Sequence, residues 1–267
     1  MTATAPGLRR IAAAQMRTAM TYRQNTFLLL MIVILNIFIL SRLWTTLFEG
    51  RDAIGGMSQD TFLLYITIVN LQSWVFTNVS VHQYVYQRVR TGEVVFDLMR
   101  PVGFLPQLMA HMAGAHLFMA LSVLVALPVV FWVGTLGAPA SATAFALYLP
   151  SFLAGYVISV LLALLLALVA FWTVETSGFT VLYQLINQFF AGTMLPVSLF
   201  PEPLRILAAL LPFQSTGYVP ATVYVGRLEG GDALRAFAVQ GLWILLLSLA
   251  VAAVWRRARR RIAVQGG

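Results

Sequence analysis

Two residue types are missing from this 267-residue chain and a third is scarce: it has no cysteine, no lysine and only nine carboxylates. Without cysteine it can form no disulfide framework, thiolate nucleophile or cysteine-ligated metal site. Without lysine it can form no P-loop, which needs a lysine after its glycines to reach the β and γ phosphates of a nucleotide. Nor does any interval between apolar runs exceed about 37 residues, so no ATPase-sized soluble segment is present. Any ATP-driven work must fall to a separate subunit. Charged residues make up 10% of the chain and hydrophobic ones 60%, with a mean hydropathy of +0.85. A soluble domain of this length needs more polar surface than that, whereas lipid-facing helices need none.

Catalytic constellations are also missing. The three histidines are His82, His111 and His116. The last two stand about 140° apart around a helix, with no carboxylate in the same span, whereas a metal site needs converging ligands. They read as groups for interhelical hydrogen bonds or headgroup contact, and no more specific role follows for His111 or His116. No metal site and no catalytic residue is expected.

What is present is apolar sequence in runs of about 20 residues, the length that crosses a hydrocarbon core. The expected spans are residues 27–44, 61–81, 105–134, 145–173, 177–199 and 237–255, within one transmembrane domain covering 1–267. All 17 basic residues are arginines. With six spans the termini share a side, and that side collects 12 arginines, including the run Arg256 to Arg261, against 5 opposite. Positive charge is retained in the cytoplasm, so both termini are expected there. Topology also explains the pI near 10.4 without nucleic acid. Arg9 and Arg10 precede an apolar run, but it begins far downstream, is long enough to span and ends without a small-x-small site. It reads as an anchor, not a cleaved signal. Ahead of it, Leu8 to Arg23 reads as a helix along the cytoplasmic membrane surface.

Intramembrane polar residues are costly unless they face another helix or water. Thr67, Asn70, Ser73, Thr77 and Ser80 recur at spacings of three and four along the second span. In the fifth, Ser177, Thr180, Gln184 and Asn187 do the same, with Gln188 beside them. Both stripes are uncharged. They serve either as glue between helices or as the lining of a translocation route for an amphipathic solute.

Between the second and third spans, residues 87–101 read as a short cytoplasmic helix. Thr91 would cap it and Pro101 end it. Glu93, Asp97 and Arg100 would form an exposed polar face, and Val94, Val95 and Leu98 an apolar one. Such a helix either lies in the headgroups or docks on a partner, and its acids suit an anionic leaflet poorly. After the fifth span, prolines bracket an apolar helix from Leu204 to Leu211. Too short to span and too apolar for water, it should dip into the outer leaflet or cap the bundle.

This pattern resembles the ABC type 2 permeases, exporters of drugs, polysaccharides and lipids, over nearly the whole chain. The likeness rests on the N-terminal interfacial helix, the six spans, the segment Arg90 to Pro101, and the run from Gly192 through Pro196, Pro201 and Pro203 to Pro212 and Phe213. Pro220 and Gly226 are similar to a bacterial subgroup. The resemblance implies an all-α inner-membrane permease that works with two ATP-binding-cassette ATPase subunits and a second permease, identical or paralogous. ATP and Mg would be held by the ATPases, and this chain would bind no cofactor of its own. The segment after the second span would be the coupling helix, which assigns ATPase contact to Arg90, Glu93, Val94, Phe96, Asp97, Leu98 and Met99. The second and fifth spans would face the partner permease across the substrate route, which assigns that route to Thr67, Asn70, Ser73, Thr77, Ser80, Thr180, Gln184, Asn187 and Gln188. One departure stands out: the family's Glu-Arg-Glu before the coupling helix is here Gln87, Arg88, Val89. That removes two carboxylates from the expected salt bridges. A secondary transporter or channel is the rival reading. Against it, the first, second, third, fifth and sixth spans lack the acid that proton or sodium coupling normally requires.

Overall fold

The computed structural model describes residues 5–77, 81–132, 135–173 and 177–265. Among these residues there is no strand, only one isolated bridge between Ile54 and Met57. The helices are α1 (Ala5–Thr21), α2 (Arg23–Phe48), α3 (Gln59–Thr77), α4 (Val81–Arg90), α5 (Val94–Met99), α6 (Phe104–Trp132), α7 (Ala142–Leu168), α8 (Ser177–Phe190), α9 (Glu202–Ala209), α10 (Tyr218–Tyr224) and α11 (Gly230–Gln265).

Among the described residues, five stretches are long and apolar enough to cross a bilayer: Arg23–Phe48, Gln59–Arg90, Phe104–Trp132, Ala142–Phe171 and Gly230–Arg261. They correspond to the first, second, third, fourth and sixth expected spans. Each exceeds the roughly 20 residues a hydrocarbon core needs, so its ends must stand beyond the lipid tails. Val85 of α4, Val94 of α5, Phe104 of α6, Phe171 after α7 and Ala258 of α11 pack into one cluster there. This end also carries Arg88, Arg90, Arg100 and the arginine run from Arg256, and is called the basic end below. The N-terminal helix packs against the adjoining part of α6, where Gly114 leaves room for the Ala12 carbonyl; any Cβ there would collide with it.

The fifth expected span is the exception. A single helix over 177–199 does not form; α8 stops at Phe190, and its 14 residues reach only about 21 Å. Gly192 (φ 78°) takes the left-handed conformation that only glycine adopts freely, and Pro196 lies just beyond. The segment carries no charged residue and is apolar on average, which is why hydropathy reads it as continuous. The rest of the thickness is closed by a bent pair, Glu202–Ala209 and Phe213–Tyr224, which meet at 74°. The expected re-entrant or capping segment is this pair.

Backbone that breaks from helix at membrane depth must find its hydrogen bonds within the protein. Here, polar side chains of neighbouring spans supply them. Tyr65 Oη donates to Gly192 O at 2.8 Å, Asn70 Nδ2 to Thr193 O at 3.0 Å and Gln72 Nε2 to Gly217 O at 2.5 Å, all from α3. From α11, Gln240 Nε2 donates to Ser215 O at 3.0 Å and to Ser151 O of α7 at 3.1 Å. Ser151 and Gln240 lie about ten residues into their helices, so the turn at Ser215 reaches roughly 15 Å below their starts. Gly155 admits that turn: a Cβ on it would lie 2.8 Å from Ser215 O.

Candidate functional site

Two features stand out, one in the membrane layer and one at the basic end. The first is a cavity of about 300 Å³ where α2, α3 and α8 meet. Its polar lining is Asn70 and Ser73 of α3, Gln184, Asn187 and Gln188 of α8, and Asn36 of α2, with Thr193 beyond α8. The two sequence stripes therefore converge, and no charged residue lines the space. Asn70 does two things at once, since its amide also donates to Ile66 O and Thr193 O.

Other members of the stripes lie elsewhere. Thr67 faces the interior of the bundle, fully buried, and among the described residues its hydroxyl finds no partner. Thr180 is buried as well and does not line the cavity. Ser80 lies outside the described residues, as do Glu175 and the side chains of Thr77 and Ser177. The reason for Thr67 is geometric. The α3 helix is enclosed on most sides, with 73% of its span buried against 28% for α2 and 17% for α11. Its polar stripe is therefore shared between the cavity and the interior. For the same reason α3 turns only a narrow edge outward.

The second feature is α5. Gly92 (φ 77°) ends α4, and Thr91 bonds back to the Gln87 carbonyl at 3.0 Å instead of capping α5. The turn brings Asp97 over α4, where it is 1% exposed, contrary to the expected exposed polar face. Arg100 Nη2 is 3.2 Å and Arg88 Nε 3.7 Å from its carboxylate, and Tyr84 Oη donates to it at 3.2 Å. Gln107 of α6 donates to the Asp97 carbonyl at 2.8 Å. A buried carboxylate requires such compensation, and its partners, not hydrophobicity, set how the helix is turned. Arg88 also pairs with the exposed Glu93 at 3.0 Å, so the ion pairs form from the one family residue retained at that place.

Orienting Asp97 inward turns apolar side chains outward. Val94 is buried and Leu98 packs on the same cluster. Val95, Phe96 and Met99 are 48%, 66% and 77% exposed. The sequence reading put Val95 on the inner face and Asp97 on the outer one; the structure exchanges them. Arg90 stands apart from this network, lining a separate hollow with Arg261.

Sequence reasoning passed over Asn36, the only amide within the first apolar run, although an intramembrane amide is itself a signal. It also passed over Tyr84 and Gln107, which carry no recognisable spacing relative to Asp97. His116 Nδ1 lies 3.0 Å from the Tyr156 hydroxyl and His111 stacks on Tyr84 with ring centroids 4.6 Å apart.

No curated protein sequence is significantly similar to the chain. The family profile described as ABC-2 family transporter protein matches residues 28–266, nearly the full length. The chain therefore belongs to the ABC-2 family of transporter membrane proteins and is a permease component of ABC transport.

Proposed function

We propose that the chain is the permease of an exporter driven by ATP hydrolysed on two separate ATP-binding-cassette subunits, paired with a second permease that is identical or paralogous. The whole of residues 1–267 acts as one membrane domain in a bacterial inner membrane. The basic end and both termini face the cytoplasm, as the arginine asymmetry favours. ATP and Mg stay on the ATPases, and this chain contributes no catalytic group or cofactor.

One observation carries the coupling role: a six-residue helix presents Phe96 and Met99 to solvent while Asp97 anchors it from behind. Exposed aromatic and methionine side chains on a fixed support are what a docking knob requires. A helix lying in headgroups has no need of a buried ionic anchor. Closure of the ATPase pair would pull on α5, and the Asp97 network would pass that displacement to α4 and α6. The cavity between α2, α3 and α8 is then the protomer's share of the route. Its amide and hydroxyl lining suits an uncharged or amphipathic solute with apolar parts better than a strongly charged ion.

The test is co-purification with the cognate ATPase. Phe96→Asp and Met99→Asp, both at exposed positions, should lower ATPase association at least tenfold, the scale of an interface hot spot, while leaving elution profile and thermal stability unchanged. Full association by both variants would remove the support for coupling through α5.

A further inference from the structure

We propose that the groove between α1, α6 and α7 binds a phospholipid of the basic-end leaflet, its acyl chain in the groove and an anionic headgroup on Arg9. The site is separate from the proposed solute route and does not depend on the ATPase reading. The groove, open along one side, has a volume of about 490 Å³. Leu8 of α1, Met109 and Ala113 of α6, and Val157 and Leu161 of α7 form its walls. The small side chain of Ala113 and the absent one of Gly114 let α1 approach α6 closely, while α7 diverges and leaves the space open.

An apolar space of this size does not hold ordered water, which needs two to four polar partners. Left empty, it would forfeit dispersion contacts along its whole lining. The Tyr156 hydroxyl on its wall is already engaged by His116 at 3.0 Å. Within a membrane the available filling is an acyl chain. Depth agrees with this: Pro106, which also lines the groove, lies in the first turn of α6, whose end stands beyond the lipid tails. The groove therefore ends at headgroup level, and Arg9 lines it there. Arg9 is exposed, and no ion pair or hydrogen bond engages it among the described residues. A guanidinium at that level complements a lipid phosphate and favours a headgroup of net negative charge. A bound lipid would wedge α1 against α6 and α7 and make the attachment of the N-terminal helix depend on lipid composition.

The experiment is native mass spectrometry of the full chain after reconstitution in phosphatidylcholine, phosphatidylglycerol and equal mixtures of the two. The wild type should retain one phospholipid per chain and favour phosphatidylglycerol about fivefold, the scale of one arginine at a membrane surface. Arg9→Gln should keep the lipid but lose the preference, whereas Arg260→Gln, on α11, should keep both. Ala113→Leu and Val157→Phe, which fill the groove from opposite walls, should lose the retained lipid of either kind. If Ala113→Leu elutes as aggregate, Val157→Phe decides. Absence of a retained lipid in the wild type, undiminished retention in the well-folded filling variants, or an unchanged preference in Arg9→Gln would overturn the proposal.

Discussion

Gln240 donates its amide to the carbonyl of Ser215 at 3.0 Å, joining the first third of the last helix to the deepest turn of the bent segment. The same amide serves Ser151 O and accepts from Ser151 Oγ at 3.2 Å, so both its nitrogen and its oxygen are engaged inside the bundle. Gln240→Leu keeps the size and removes every one of these bonds. Buried carbonyls left unpaired make this destabilising by about 2 kcal/mol. Thermal unfolding followed by size-exclusion chromatography should show a lower midpoint than the wild type. An unchanged midpoint would mean that the turn at Ser215 is satisfied in some other way.

Asp97 provides a second test because two arginines meet its buried carboxylate. Asp97→Leu leaves Arg100 without its neutralising partner, leaves Arg88 only the exposed Glu93, and loosens α5 from α4. Both arginines retain access to water, so the loss is about 1–3 kcal/mol, less than for a wholly buried pair. Asp97→Asn retains an acceptor for Tyr84 and should cost less. Protease sensitivity at the α4–α5 turn is the direct measure, and it should rank Leu above Asn above wild type. The reverse order would show that the ion pairs do not hold α5.

Much of this architecture was legible because lipid imposes a simple rule: long apolar runs become spans. The rule misjudged residues 177–199, because hydropathy does not register that Gly192 and Pro196 break a helix within an uncharged, largely apolar run. Periodicity brought Asn70 and Ser73 to the same cavity as Gln184, Asn187 and Gln188, yet it could not show that Thr67 belongs to the other side of an enclosed helix. A stripe has a direction only once its neighbours are placed. Polarity likewise misplaced Asp97. An acid in a short surface helix reads as solvent-exposed until Arg88, nine residues earlier on the preceding helix, and Gln107, on the next helix, are seen to close over it.

Topology can be read chemically, since the chain has no cysteine to remove. Thr91 and Glu229 are both exposed, the first at the basic end and the second just before α11. In intact cells, a membrane-impermeant maleimide should label Glu229→Cys and spare Thr91→Cys, which should react only after permeabilisation. Labelling of Thr91→Cys from outside would reverse the orientation inferred from the arginines.

The sharpest test of the cavity compares residues that sequence alone placed on one polar surface and the structure separates. Gln184 and Asn187 line the cavity from α8. Gln184→Leu with Asn187→Leu should leave the fold intact but remove two amides from the proposed route. Thr67→Val is the matched control, because its hydroxyl is buried without a partner and the replacement has the same shape. Removing an unpaired buried hydroxyl is neutral or slightly stabilising. With the ATPase present in proteoliposomes, the double variant should change solute-stimulated ATP hydrolysis severalfold while basal hydrolysis stays near wild type. Thr67→Val should match the wild type in both and melt no lower. Asn70→Val should do worse than either, since Asn70 lines the cavity and also supports the Thr193 carbonyl, so it should lose stability as well as stimulation. If the double variant and Thr67→Val behave alike, the cavity between α2, α3 and α8 is packing and not a route.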